Sequence, residues 1–167
     1  RESVFHIGKF QNVDFSNTDL ENADFKFTVM SGTNFNGANL KNADFSRAVI
    51  ISSDFSSADL TNVDLSAARI LDTKFTNAIL SNSKFLGTDL RYIDLDGANL
   101  ENSVFDNSVM VSTDMKNTKS IKNMEMRFAS FYDVDFNGVD FSEIIFGPQN
   151  AFAGSDFRNS SLPTLQL

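Results

Sequence analysis

Large apolar residues recur at every fifth position along most of the chain. From Phe5 to Met115, each residue whose number is a multiple of five is Phe, Leu, Ile or Met, which makes 23 consecutive positions without an exception. Two residues before each of these centres the side chain is Ala, Ser, Thr or Gly in 20 of the 23 cases, the exceptions being Val13, Val63 and Ile93. The pattern predicts a regular repeat that turns one large and one small side chain inward.

The repeat length predicts a corner after each short extended segment. Positions i and i−2 of an extended segment lie on one side, and positions i−1 and i+1 lie on the other. Because five is an odd number, a straight strand would change sides at each repeat, so the chain must bend once per repeat to keep all centres inside. Gly and Asn suit such corners, and they stand two residues after many centres: Asn22, Gly32, Gly37, Asn42, Asn62, Gly87 and Gly97.

A second period of 20 residues predicts how many corners close one coil. Leu occupies positions 20, 40, 60, 80 and 100, and Asn follows each of these Leu residues by two positions. Phe occupies positions 15, 35, 55 and 75. Four repeats therefore form one coil, and residues 20 apart stack in one column, with about 4.8 Å between successive coils.

The motifs ADF at 23–25, ANL at 38–40 and ADL at 58–60 resemble the pentapeptide-repeat family, whose pattern is written A(D/N)LXX. The resemblance covers nearly the whole chain. It implies an all-β fold, namely a right-handed quadrilateral parallel β-helix, and the length of the chain predicts about eight coils. Right-handedness also agrees with the general rule for parallel crossovers.

The five-residue frame shifts twice towards the C-terminus. At the first shift the expected centre is Ser120, which is polar, and the second shift falls in the segment GPQNAFAG. Each shift requires one extra residue that bulges from a coil. The centres resume at Met126, Phe131, Phe136, Phe141 and Phe146 after the first shift, and at Phe152, Phe157 and Leu162 after the second.

These shifts predict a single domain with three segments. Regular coils span 1–118, and continued coils span 119–162, with bulges near 116–125 and 147–151. Residues 163–167 form a cap or tail, because Pro163 cannot donate to a β-ladder. The chain begins at Arg1 rather than Met, and the repeat begins almost at once, so we expect either that sequence is missing upstream or that this end pairs with something.

One face of the predicted coil carries apolar residues at outward positions. In the stretch SRAVIISSDF, Ile50 is a centre and faces inward, so its two neighbours face solvent. Similar flanking residues occur in coils 20 residues apart, while Asp89 and Arg91 interrupt the series. Exposed apolar patches mark contact surfaces, and we expect a protein-contact face that contains Val29, Val49, Ile51, Leu71, Val109 and Val111.

An alternative contact surface is acidic. The net charge is −8 and the pI is about 4.5, which argues against direct binding to nucleic acid or to an anionic membrane. Carboxylates recur in two columns: Asp14, Asp54, Asp94 and Asp114 form one, and Asp24, Asp44 and Asp64 form the other. The simpler interpretation is that Asp is the favoured outward residue of the repeat. A third candidate is a basic loop at the first shift, made of Lys116, Lys119, Lys122 and Arg127.

The sequence offers no catalytic constellation. His6 is the only histidine and there is no cysteine, and no metal-ligand, phosphate-loop or nucleophile motif occurs. We therefore expect no enzyme activity from this chain alone, although a larger parent protein could be an enzyme, and no cofactor or metal. No apolar run is long enough to span a membrane and no signal peptide is evident, so the compartment stays open between the cytoplasm and secretion as part of an effector.

The favoured function is a noncatalytic rigid scaffold that binds a protein partner, with a homodimer left open. Family resemblance supplies two alternatives. Pentapeptide-repeat proteins of the quinolone-resistance group resemble DNA and bind DNA gyrase, so an acidic rod is consistent with a DNA mimic. Some bacterial effector ubiquitin ligases carry an N-terminal pentapeptide-repeat β-helix, and this chain resembles such a module.

Overall fold

Each five-residue repeat forms one side of a coil, and each coil stacks on the one before it. The computed structural model describes residues 3–144, 146–147 and 149–162. One side of the coils forms a seven-stranded parallel sheet whose strands follow chain order. The strands are Lys9–Gln11 (β1), Val29–Ser31 (β2), Val49–Ile51 (β3), Arg69–Leu71 (β4), Asp89–Arg91 (β5), Val109–Val111 (β6) and Ser130–Tyr132 (β7).

The other three sides of the coils are joined by isolated parallel bridges. Examples are Asp14 with Asn34, Asp19 with Asn39, and Asp24 with Asp44. We call the side that carries β1–β7 the strand face. In chain order, the sides that carry Asp14, Asp19 and Asp24 are the second, third and fourth faces.

The predicted all-β, four-sided parallel β-helix is confirmed. Neighbouring strands from β1 to β6 are offset by 20 residues, as the second period requires, and no helix occurs in the described part of the chain. The seven strands delimit six complete turns, slightly fewer than the eight or so predicted. The turn after β7 is paired through isolated bridges, such as that of Ser130 with Ala151, rather than through a strand.

The predicted centres fill the interior. Rings one coil apart stack, as for Phe25 and Phe45, whose centroids lie 4.6 Å apart with an interplanar angle of 6°. Rings on opposite sides of one coil meet edge to face, as for Phe25 and Phe35 at 5.6 Å and 89°. Both geometries are favourable for aromatic pairs. Columns of Phe on the second and fourth faces therefore meet across the coil, while Leu and Ile fill the space between them.

The corners place one residue per repeat in the left-handed backbone region. Asn22, Asn42 and Asn62 have φ values of 59°, 57° and 61° at the corner between the third and fourth faces. Asn tolerates this conformation better than other residues that carry a Cβ. Its amide also links successive coils, because Nδ2 of Asn62 donates to Oδ1 of Asn42 at 3.0 Å. This accounts for the Asn that follows each Leu.

The first frame shift is a β-bulge on the third face in which two residues oppose one. The N–H of Lys119 donates to the carbonyl of Ala98 at 2.8 Å, whereas the carbonyl of the next residue, Ser120, accepts from Leu100 N–H at 2.8 Å. In a regular coil a single residue performs both roles. Ile121 then lies at the centre, 4% exposed, so the new frame begins there. Our prediction that the centres resume only at Met126 was therefore wrong by one repeat.

An ion pair between an exposed Arg127 and a buried Asp106 ties the coil after this bulge to the coil before it. Asp106 is 7% exposed. The N–H of Arg127 donates to its Oδ1 at 2.7 Å, and Nε donates to its Oδ2 at 2.8 Å. Hydrogen bonding to Asp106 raises the pKa of the Arg127 guanidinium, which stays charged in any case. Nη2 of the same guanidinium also contacts Glu125 at 2.7 Å.

The second frame shift is held by one amide side chain. The offset from Ser130 to Ala151 is 21 residues. Asn150 donates from Nδ2 to the carbonyls of Met126 and Ala129, and its Oδ1 accepts from Gly147 N–H at 2.6 Å. The predicted segment boundaries stay a prediction, and the predicted cap at 163–167 lies outside the described residues.

We expect the substitution Phe55→Ala to destabilise the fold by about 3–5 kcal/mol, the usual cost of truncating a buried Phe. The Phe55 ring is fully buried between Phe35 at 4.7 Å and Phe75 at 5.1 Å. Phe55→Leu should cost less, because Leu occupies the same inward position in other coils. Urea unfolding measures the difference, and a loss below about 1 kcal/mol for Phe55→Ala would contradict the stacked interior.

We expect Arg127→Met to lower the thermal midpoint, because it leaves the Asp106 carboxylate buried without its cation. The matched control is Arg158→Met, which removes an ion pair from a more exposed carboxylate: side-chain exposure is 28% for Asp156 and 10% for Asp106. The double substitution Arg127→Met/Asp106→Asn should recover part of the loss. Equal effects of the two single Arg substitutions would show that the Asp106 pair stabilises no more than a surface pair.

Candidate protein-contact face

The strand face presents two outward columns that flank a buried one. In β3, Ile50 is fully buried while Val49 and Ile51 are partly exposed, as the frame predicts. Val29 is 42% exposed. The other predicted residues of this face lie at equivalent flanking positions and are partly exposed: Leu71 in β4, and Val109 and Val111 in β6.

The apolar residues of this face form two clusters separated by a charged band. Val29 pairs in register with Val49, and Ile51 pairs with Leu71, which makes one cluster. Val109 and Val111 make the other. The charged band between them is formed by Arg69, Asp89 and Arg91.

The charged band is only partly neutralised within the chain. Nε of Arg91 donates to Oδ1 of Asp89 at 2.8 Å, and this hydrogen bond raises the pKa of Arg91. Arg69 makes no ion pair with any residue that the structure describes. Arg69 pairs in register with Asp89 on the neighbouring strand, but the two side chains do not form an ion pair.

Exposed aromatic side chains frame the strand face, and sequence reasoning missed them. Phe27 and Phe128 lie at the corner before the face, and Tyr92 lies at the corner after it, with exposures of 42%, 51% and 60%. Their φ values are 56°, 58° and 56°, in the left-handed region that Asn and Gly usually occupy. Tyr132 in β7 adds a further exposed ring. The signal that could have found the corner residues was a large aromatic two positions after a centre.

The Phe27 ring has contacts with charged and polar neighbours on the surface. The guanidinium carbon of Arg47 lies 5.3 Å from the centroid of the ring. The His6 ring meets it at 5.4 Å and 69°. Cation–π contacts at exposed sites contribute about 0.5–1 kcal/mol, so this ring is oriented by its neighbours while it stays open to solvent.

The acidic columns are present, with more members than the sequence frame showed. Asp14, Asp54, Asp94 and Asp114 lie on the second face, with Asn34 and Lys74 between them. Because the offset changes to 21 residues after the bulge, the column continues through Asp135 and Asp156. The second column, which contains Asp24, Asp44 and Asp64, lies on the fourth face.

These carboxylates have a structural role in the repeat. Oδ1 of Asp54 accepts from the N–H of Ser56 at 2.8 Å, and Oδ1 of Asp114 accepts from the N–H of Lys116 at 2.9 Å. Oδ1 of Asn34 likewise accepts from the N–H of Asn36. Local bonds of this kind stabilise turns, and the N–H of Ser16 lowers the pKa of Asp14 in this way. The frequent Asp or Asn before the centres of the second, third and fourth faces is therefore explained by the turn alone.

Basic side chains neutralise part of the acidic columns. Nζ of Lys26 lies 3.6 Å from Asp24 and 3.5 Å from Asp44. Nζ of Lys116 lies 2.9 Å from Asp114 and 3.6 Å from Asp135.

The predicted basic loop does not form one surface. Lys116 lies on the second face, Lys119 and Lys122 on the third, and Arg127 on the fourth. Lys122 contacts Glu143 at 3.8 Å, and Lys116 and Arg127 pair with the carboxylates described above. Grouping these residues as one patch was wrong, because the chain turns two corners between Lys116 and Arg127.

Two clefts lie in the C-terminal coils. On the third face, a cleft of about 230 Å³ separates the backbone near Ile121 from that near Ser142. The described backbone forms no hydrogen bond between these two coils there, although it does on the second face, where Met115 N–H donates to the carbonyl of Asp135. At the C-terminal end, Phe146, Phe152, Phe157 and Leu162 line an apolar cleft of about 290 Å³.

The described residues contain no group of three or more His, Asp or Glu side chains arranged to hold a metal ion. Nor do they include a helix of sufficient length and apolar character to cross a membrane.

Solved structures with the same architecture include three that are informative. QnrB1, a plasmid-mediated fluoroquinolone resistance protein, aligns with a TM-score of 0.77 and 21% identity over 99% of this chain and 87% of its own. Rfr23 from the cyanobacterium Cyanothece 51142 aligns with a TM-score of 0.60 and 19% identity over 69% of this chain and 88% of its own. At these identities the likeness shows the fold alone.

The third is a pentapeptide repeat protein from the Arabidopsis thaliana thylakoid lumen, with 34% identity and a TM-score of 0.53 over 54% of this chain. The match spans 63% of the length of the Arabidopsis protein. No curated protein sequence matches this chain significantly.

A sequence profile described as pentapeptide repeats matches the chain in eight copies, over residues 9–47, 29–66, 43–82 and 83–119. These residues make up well over half of the chain, and they carry the four-sided coils, the small inward partners and the capped turns described above. The chain therefore belongs to the pentapeptide-repeat family.

Proposed function

We propose that this chain is a noncatalytic, rigid protein-binding module that presents its strand face to a partner protein. The observation that carries the proposal is the combination of apolar outward columns with exposed aromatic rings on one flat face. Interface cores are enriched in aromatic residues and in Arg, and they are depleted of Lys and acidic residues. The strand face fits this composition better than the second or fourth face does.

The aromatic corner residues support the proposal. A residue with a Cβ in the left-handed region costs roughly 1–2 kcal/mol, a cost that Asn and Gly largely avoid. Phe27, Tyr92 and Phe128 carry this strain, yet their rings lie outside the core. The same strain occurs at Ile7, Arg47 and Ala67 on the corner before the strand face, so it is the exposure of the three aromatic rings that leads us to assign them contact with a partner.

Binding by such a face relies on preorganisation. The backbone of each coil is hydrogen-bonded to the coils before and after it, and the inward side chains are packed between stacked rings. Little conformational entropy is therefore left to lose when the face binds a partner. The repeat therefore gives the chain a flat, rigid surface that is preorganised for binding.

We expect Ile51→Asp to leave the fold intact and to abolish partner binding, because a charge on the strand face must be desolvated on contact. The matched control is Ser81→Asp, which adds the same charge at an outward position of the third face. Affinity capture with the wild-type chain and both variants, read by mass spectrometry, should give proteins that are lost only with Ile51→Asp. Urea unfolding checks that both variants are folded.

Two results would count against this proposal. If Ile51→Asp unfolds the chain, the inward and outward assignment of β3 is wrong. If both variants retain the same captured proteins, the strand face is not the contact face.

A second candidate function, mimicry of DNA towards DNA gyrase, is favoured by one observation. Asp94, Asp114, Asp135 and Asp156 are consecutive in one column of the second face, with a repeat of about 4.8 Å. The similarity in fold to QnrB1 is compatible with it. Against it, Lys116 and Arg158 neutralise part of the column, and each of these carboxylates already caps a turn.

This candidate predicts that the chain alters DNA supercoiling by gyrase and that the triple substitution Asp94→Asn/Asp114→Asn/Asp135→Asn abolishes the effect. Asn preserves the turn cap, as Asn34 shows, so the triple variant changes charge and not fold. A supercoiling assay with and without a quinolone is the measurement. Unchanged gyrase activity and quinolone sensitivity with the wild-type chain at micromolar concentration would exclude this role.

The role as a module of an effector ubiquitin ligase stays a prediction. It rests on family resemblance alone, and the full-length coding sequence around this chain tests it.

A further inference from the structure

When two copies of the strand face are placed against each other with the order of the strands reversed, several outward residues of one copy lie opposite suitable partners on the other. The midpoint of the series lies between β4 and β5, and reversal about this midpoint exchanges β3 with β6 and β2 with β7. Val49 then lies opposite Val109, and Ile51 lies opposite Val111. The two apolar clusters would therefore meet at these two pairs if two copies of the chain packed face to face with antiparallel axes, while Val29 would lie opposite Ser130 and Leu71 opposite Arg91.

The residues of the charged band also lie opposite one another after this reversal. Reversal about the midpoint exchanges β4 with β5, so that Arg69 lies opposite Asp89 of a second copy. Arg69 has no ion pair among the described residues. Arg91 donates to only one carboxylate oxygen of Asp89, Oδ1. Each copy would therefore bring the second oxygen of Asp89 to Arg69 of the other, in two equivalent contacts, while Asp89 keeps its hydrogen bond with Arg91.

The exposed aromatic corners follow the same register. Phe27 precedes β2 and Phe128 precedes β7 at the same corner of the coil, so reversal places the two rings opposite each other. Both rings are exposed and both stand at left-handed positions. On the other edge, Tyr92 falls opposite Asp72, whose carboxylate can accept from the phenol hydroxyl.

We propose that the strand face binds a second copy of this chain in a two-fold antiparallel arrangement, with the symmetry axis between β4 and β5. This inference rests on the proposed function of the strand face and names its partner. A two-fold interface uses the same patch on both subunits, and the strand face satisfies this requirement at the apolar, charged and aromatic positions together.

A parallel arrangement of the two copies fits less well. It would pair the two outward columns of each coil, so that Arg69 would lie opposite Leu71. In the antiparallel register Arg91 takes that place instead, but it already donates to Asp89 of its own chain. Phe27 would lie opposite Gly32 instead of another ring. The antiparallel register is therefore the one that the side chains specify.

The dimensions of the face predict a weak dimer. The overlapping strands β2–β7 span five inter-strand spacings, and with three residues per strand they give a surface of about 24 Å by about 10 Å, before the corner rings are added. The total buried area is therefore smaller than the roughly 1,600 Å² of a standard stable interface. We expect a dissociation constant in the micromolar range, with exchange between subunits.

The first test uses cysteine cross-linking, since the chain contains no Cys. The single variants Val49→Cys and Val109→Cys are prepared with tags of different mass, mixed in equal amounts and treated with a short bismaleimide. The antiparallel register predicts a covalent heterodimer in the mixture. Each variant alone should give none, because its own two cysteines would lie three coils apart, or about 14 Å along the axis.

The second test uses charge exchange. Arg69→Asp and Asp89→Arg should each weaken self-association at least tenfold by placing like charges opposite each other. An equal mixture of the two variants should restore it, because each acidic position then faces a basic one. Sedimentation equilibrium over the micromolar range measures all three samples, and urea unfolding shows that each variant is folded.

A chain that sediments as a monomer throughout, with no cross-linked heterodimer, would overturn the second copy as partner. It would leave the proposed function standing if Ile51→Asp still abolished binding to another protein. A cross-link in mixtures of Val49→Cys with Ile51→Cys, but not with Val109→Cys, would overturn the antiparallel register. Dimers that are insensitive to both charge variants would locate self-association elsewhere on the chain.

Discussion

The left-handed corner that ends each five-residue repeat is the constraint on which the rest of the structure depends. An extended segment of three residues followed by a corner returns every centre to the interior, although five is an odd number. Asn and Gly relieve the strain of many corners, and on the second, third and fourth faces an Asp or Asn before the centre often caps the turn with its side chain. The coils then stack through backbone hydrogen bonds, and the stacked Phe side chains in the interior hold successive coils together.

This constraint also separates structural from functional residues. Outward carboxylates such as Asp54 are accounted for by the turn that they cap, so their recurrence carries no functional information by itself. The residues that the repeat does not explain are the outward aliphatics of the strand face and the aromatic rings at its corners. Neither group helps to form a turn or fill the core, and both lie on the same side of the rod.

Most of the fold could be predicted from the sequence, because a single five-residue rule applies with few exceptions. The inward position of Ile50 and the outward positions of Val49 and Ile51 followed from the frame alone. The prediction was wrong where the rule fails: two residues share one position at the bulge, so Ile121 was missed as a centre. The basic loop was misjudged for a different reason: residues close in sequence lie on different faces of a coil, because the chain turns a corner after each repeat.

The candidate site could be predicted only in part, because exposure at the corners depends on where each ring points. Methyl NMR of the chain across a concentration series tests most directly whether the strand face is a contact surface. We predict concentration-dependent shifts for the methyl groups of Ile51, Val49 and Val111 on the strand face, and none for Ile79 on the third face or for buried Ile50. Shifts confined to the third face would contradict the claim that the strand face is the contact surface, and no shifts at any concentration would contradict self-association through it.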